Sequence, residues 1–162
     1  MKKLLISMSA TMLIFAACGV NDDEDNTNPS TDNTIGEADI VANDSIEFKT
    51  HIDGGTAKIW MASGFTIAGL TTFTECRLDD EFVFNADGTY TYDGGIDLCG
   101  AEDNERIKTG IWELDFRNRT ILFDKGSSNE EPARVIGLNE NEIRVNGSYM
   151  TMEVRGIYTA SE

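Results

Sequence analysis

The sequence predicts an all-β domain: a small eight-stranded antiparallel up-and-down barrel, with an open β-sandwich as the alternative. Three observations carry this expectation. From about residue 45 onward, apolar residues recur with period two, and no window shows convincing helical spacing. Gly, Asn and Asp clusters break these runs at short intervals. The connections are mostly of hairpin length, so strands adjacent in sequence pair in space. Eight strands in such a meander can close and leave no open edge.

Ser45–His51 reads as a lead-in strand. The first barrel strand holds Lys58–Gly64 around Trp60. Phe82 and Phe84 share one face of the next, and Asn85-Ala86-Asp87-Gly88 turns the chain because Asp and Gly tolerate positive φ. Thr89–Tyr92 returns with Tyr90 and Tyr92 on one face, which makes this the clearest hairpin in the chain. Gly110–Phe116 places Trp112, Leu114 and Phe116 together. Arg117-Asn118-Arg119 turns it into Thr120–Asp124, with Ile121 and Phe123 on one side. Val135, Ile136 and Leu138 mark another strand, and Asn139-Glu140-Asn141 leads into Glu142–Val145. Asn146-Gly147 is a strong hairpin signal ahead of Met150, Met152 and Val154.

The 162 residues suit one domain plus a tail, and 40% apolar content is enough for a packed core. With 29 acidic and 13 basic residues the formal net charge is −16, which excludes a phosphate-neutralising nucleic-acid surface. A lone histidine, His51, excludes a multi-histidine metal site and reads as a partly exposed edge residue.

Residues 1–17 read as a secretory signal: Lys2 and Lys3 precede an uncharged apolar run ending at Phe15-Ala16-Ala17. With Cys18 directly after, the segment resembles a bacterial lipobox, in which the signal is cut before a cysteine that is then lipidated. Phe15 stands where that pattern usually has Leu. The resemblance implies a membrane anchor at Cys18. Lipidation leaves two of the 3 cysteines, Cys76 and Cys99, an even pair in an oxidising compartment. They flank the clearest hairpin and are expected to form a disulfide; two free buried thiols are the competing reading.

Residues 18–44 carry eight acids and no base and read as a disordered tether. Asp22-Asp23-Glu24-Asp25 resembles the acidic signal that sends some Gram-negative lipoproteins to the outer face of the outer membrane. Loss of residues 1–17 removes two lysines and no acid, giving −18; the tether accounts for −8, leaving −10 on the domain 45–162. Asp44-Ser45-Ile46 resembles a short O-glycosylation motif of exported bacterial proteins.

Trp60, the Cys76-Arg77-Leu78-Asp79-Asp80 stretch, the Phe82–Tyr90 hairpin, Cys99 and Gly110-Ile111-Trp112-Glu113-Leu114 occur in an order that resembles bacterial lipoproteins with a lipocalin-like domain. The resemblance covers roughly Thr56–Tyr158 and implies the barrel, with no fixed activity.

No nucleophile elbow, phosphate loop or activated cysteine is present in the motifs, so no enzyme and no cofactor are expected. Asp79-Asp80-Glu81 reads as a solvated strand start, and Asp93, Asp97, Glu102 and Asp103 as a loop cluster. Trp60, Phe82, Phe84, Tyr90, Trp112, Met150 and Met152 are the candidate lining of a ligand pocket, against the alternative that they fill the barrel. The functional expectation is a surface-anchored, non-catalytic module for a small apolar or amphipathic ligand. The alternative is a filled barrel that binds or inhibits a protein of a surface assembly.

Overall fold

The computed structural model describes residues 35–71, 75–99 and 105–161. The signal segment, Cys18, Asp22–Asp25, Glu102 and Asp103 lie outside these residues. The described chain forms α1 (Ser45–Asp53), β1 (Ala57–Ile67), a single 3-10 turn (Glu75–Arg77), β2 (Glu81–Asn85) and β3 (Thr89–Asp93). It continues through β4 (Ile107–Asp115), β5 (Thr120–Phe123), β6 (Glu131–Leu138), β7 (Glu142–Tyr149) and β8 (Met152–Ala160). Each strand is antiparallel to the next, and β8 returns to β1, with Trp60 opposite Ala160 and Ile67 opposite Val154. The eight expected strands therefore close into a barrel, not a sandwich. Each strand is therefore paired on both sides along at least part of its length.

Ser45–His51 is a helix, not a lead-in strand. Asp44 caps it: its carboxylate accepts the Ile46 and Glu47 N–H groups at 2.9 Å each. Gly54 ends it at φ 65°, donating its N–H to the Thr50 carbonyl. Phe48 and Ile52, four residues apart on one face, are fully buried. They plug one end of the barrel. Trp60 lies beneath them and donates its indole N–H to the Ile52 carbonyl at 2.8 Å, satisfying a helix C-terminal acceptor. Lys58 Nζ sits 4.4 Å from the Trp60 ring and donates to the His51 and Glu140 carbonyls. Burial lowers the Lys58 pKa against the opposing pull of Glu140 and Asp53.

Residues 35–44, expected within the disordered tether, are part of the folded body. They form a strap that is held by β8 and β7 and pairs with the backbone of β6. The Ala38 N–H donates to Ile136, Leu138 donates to Asp39, and Val41 donates to Leu138. Arg144 and Arg155 reach out to the carbonyls of Gly36 and Ile35. Backbone pairing and two arginines hold a stretch whose acidic composition favours solvent.

The Asn146-Gly147 turn is also corrected. β7 runs through it to Tyr149, and three further rungs pair Gly147, Ser148 and Tyr149 with Val154, Glu153 and Met152. The turn falls at Met150 and Thr151, both at positive φ (47° and 72°). Positive φ at two non-glycine residues, one β-branched, is unfavourable. The added rungs offset it and carry Tyr149 to the barrel end.

That end is distinct from the plugged one. The described parts of the connections after β1 (68–71 and 75–80) and after β3 (94–99 and 105–106), the connection 124–130 and the turn at 150–151 all lie opposite α1. Two staples join the first pair. Cys76 and Cys99 form a disulfide, 23 residues apart in sequence. Asp79 accepts the Ile96 N–H at 2.6 Å and the Asp97 N–H at 3.3 Å. Gly95, at φ 67°, leaves the room this requires, since a Cβ there would meet the Asp79 carboxylate at about 2.1 Å. Closing a loop of this length stabilises by about 3 kcal/mol in the chain-entropy description. Reduction of the disulfide is expected to lower the unfolding free energy by that order in a urea titration. Thiol labelling of the denatured, unreduced protein is expected to find Cys76 and Cys99 unreactive.

Candidate functional site

Inside the barrel, on the side opposite α1, is a cavity of about 820 Å³. Alternation along the strands builds it. On β2, Phe82 and Phe84 point inward, and so do their partners Tyr92 and Tyr90 on β3. Ile121 and Phe123 enter from β5, Ala133 from β6, Ile143 and Val145 from β7, and Tyr158 from β8. Phe65 and Ile67 continue the β1 wall beyond a bulge between Ala62 and Gly64, which resets the inward parity. Trp60 forms part of the floor.

The walls are aromatic. Phe82 lies 4.8 Å from Tyr92, 5.7 Å from Phe123 and 5.6 Å from Tyr158, measured between ring centroids. These rings, from four strands, meet at the barrel's waist in tilted and edge-on geometries that aromatic quadrupoles favour. Polar groups stand at two places around them.

Asp80 is 2% exposed and accepts the Tyr92 hydroxyl at 2.8 Å. Arg77 donates to the same hydroxyl at 2.7 Å and pairs with Asp80 at 3.4 Å. Lys108 Nζ lies 5.5 Å from the Tyr92 ring. Asp80 thus stands inside the barrel, not at a solvated strand start. Further along β3, beside β4, Tyr90 donates its hydroxyl to Asp124 at 3.1 Å, and Asp124 also accepts the Ile111 N–H. Gly110 makes this close approach possible: a Cβ there would lie 2.0 Å from an Asp124 oxygen.

Burial, reinforced by the Asp124 hydrogen bond and charge, pushes the Tyr90 pKa up to about 12. Burial and the Asp80 charge raise that of Tyr158 well above the ordinary value, against the opposing pull of Arg77. A raised folded-state pKa means the native state holds its proton longer than the unfolded chain does. The associated stability is complete below pH 10 and is lost as pH climbs toward 12. Alkaline unfolding is therefore expected to begin above pH 10. Tyr90→Phe is expected to flatten the fall between pH 10 and 12, as read by denaturant midpoints at each pH.

The predicted site residues divide. Trp60, Phe82, Phe84 and Tyr90 come together in the cavity. Trp112 does not: it sits towards the plugged end, donating its indole N–H to the Asn85 carbonyl at 3.0 Å, with its ring 5.2 Å from Phe84. Met150 and Met152 stand exposed at the last hairpin turn, outside the lining. Sequence reasoning missed Arg77, Asp80 and Lys108 as cavity groups, and Phe123 and Tyr158 as wall. Strand parity carries a signal for most of them: Asp80 shares parity with Phe82 and Phe84, and Lys108 with Gly110 and Trp112.

Among the described residues, no three His, Cys, Asp or Glu side chains converge as a metal site. No helix among them is long and apolar enough to cross a membrane. Fold and site define a closed antiparallel barrel with one plugged end and an aromatic cavity at the other. No protein-family model, curated protein or solved structure matches this chain.

Proposed function

We propose that the protein is a lipocalin-like, lipid-anchored binding module, and that its barrel holds one small amphipathic molecule without turning it over. The observation that carries this reading is the cavity of about 820 Å³, of the size that takes a drug-sized or lipid-sized ligand. Aromatic walls offer large apolar contact at little entropic cost. The Arg77–Asp80–Tyr92 group and Lys108 offer charge and hydrogen bonds to a polar end. Anchoring at Cys18 and display on the outer membrane face belong to the same reading, supported by the lipobox resemblance and the acidic run after it. Replacing Cys18 with Ser is the check on the anchor: the protein should then appear in the soluble fraction.

The binding test is titration of medium- and long-chain fatty acids, haem and short oligosaccharides into the protein, following tryptophan emission. Trp60 touches the cavity and Trp112 does not, so a saturable change should vanish in Trp60→Phe. A flat response to every probe would contradict the proposal and favour a module acting through its outer surface.

A further inference from the structure

We infer that the open end of the barrel is a docking surface for an uncharged or zwitterionic lipid surface. Six of the large apolar side chains left exposed gather there, while Val41, Ile46, Ile59, Ile111 and Phe116 are exposed singly elsewhere. Leu70 and Leu78 come from the 68–80 connection, Ile96 and Leu98 from the 94–106 connection, and Met150 and Met152 from the last hairpin. Ile96 is 85% exposed and Met150 66%. Apolar side chains scattered singly over a surface need no partner, but a ring of them around one opening marks an interaction site.

Two features select lipid as the occupant. The ring surrounds the mouth of a cavity whose own wall is apolar. An amphipathic molecule could pass from a lipid surface into the barrel without its apolar part crossing water. The strap also places Ile35, seventeen residue steps after Cys18, beside Arg155, which pairs with Thr66 in the mouth-side half of the wall. The described chain therefore begins on the mouth side of the wall. Charge narrows the choice: residues 45–162 carry −10 and Glu37, Asp39 and Asp44 of the strap add three further negative charges, so anionic headgroups repel the domain. The docking surface goes beyond the ligand-binding reading and fails separately from it, because vesicle binding needs no occupant in the cavity.

The test uses residues 18–162 with Cys18→Ser, so that no acyl chain contributes; the barrel ring closes between β1 and β8 without residues 1–17. Flotation with phosphatidylcholine vesicles should carry the protein upward. Ile96→Asp with Met150→Asp should reduce the floated fraction at least tenfold, and Leu98→Asp should weaken it independently. These positions are exposed, and Asp tolerates the positive φ at 150, so circular dichroism should match the parent. Ile46→Asp, 76% exposed at the plugged end, should float normally. No flotation of the parent, equal loss in Ile46→Asp, or tighter binding to phosphatidylglycerol would each overturn the inference. So would self-association without lipid that the paired rim substitution abolishes, since a second copy would then be the occupant.

Discussion

Replacing Trp60 with alanine is expected to cost about 3–5 kcal/mol, enough to unfold a barrel of ordinary stability or bring it close. Three separate losses meet at this residue. Its side chain has no exposed surface, so the change opens a void where the helix plug meets the barrel floor. The Ile52 carbonyl loses its indole donor in a buried place, and an unsatisfied buried acceptor carries its own penalty. The Lys58 ammonium loses the ring beneath it. Trp60→Phe separates these effects: it retains a ring but not the donor, and should cost less than half as much. Urea unfolding of both variants measures the difference. Equal costs would mean that packing at the floor is unimportant and the hydrogen bond is the whole effect.

Filling the cavity from within is expected to abolish ligand binding while leaving the fold intact. Ala133 is the position for this. It pairs with Ile121, shares its inward face, and lines the cavity. A tryptophan there can grow into open volume instead of into packed atoms, so the overpacking penalty should stay below about 1.5 kcal/mol. Affinity for whichever probe saturates the parent should fall at least a hundredfold. Ile111→Trp, on the exposed outer face of β4, is the matched control and should bind as the parent does. Loss of binding in both, or in neither, would place the ligand somewhere other than the barrel interior.

Much of this architecture is legible in the sequence because a barrel is built from local pairings. Phe82-x-Phe84 and Tyr90-x-Tyr92 around Asp87-Gly88 determine a hairpin by alternation and turn chemistry alone, and the structure pairs them in that register. What escapes is decided by distant partners. The helix α1 buries only Phe48, Ile52 and Asp53, too few for a visible helical stripe. Its Asp44 cap and Gly54 stop were the readable signals. The turn at Met150-Thr151 defies local preference, because the pairing of β7 with β8 outweighs the attraction of Asn146-Gly147. That shift moves both methionines out of the cavity.

The candidate site divides in the same way. Its aromatic residues follow from strand parity. The Arg77–Asp80–Tyr92 contact needs a connection folded back over the barrel end, held by Cys76–Cys99 and by Asp79, and no local pattern encodes it. Asp80 between two other acids looks solvated, although its parity with Phe82 points it inward.

Occupancy of the barrel is read directly by native mass spectrometry of the protein purified from its own host. The expected result is a population carrying the mass of one small amphipathic molecule per barrel, displaced by collisional activation, and absent from Ala133→Trp prepared the same way. The bare polypeptide mass in every preparation, or an adduct that Ala133→Trp retains in full, would contradict it.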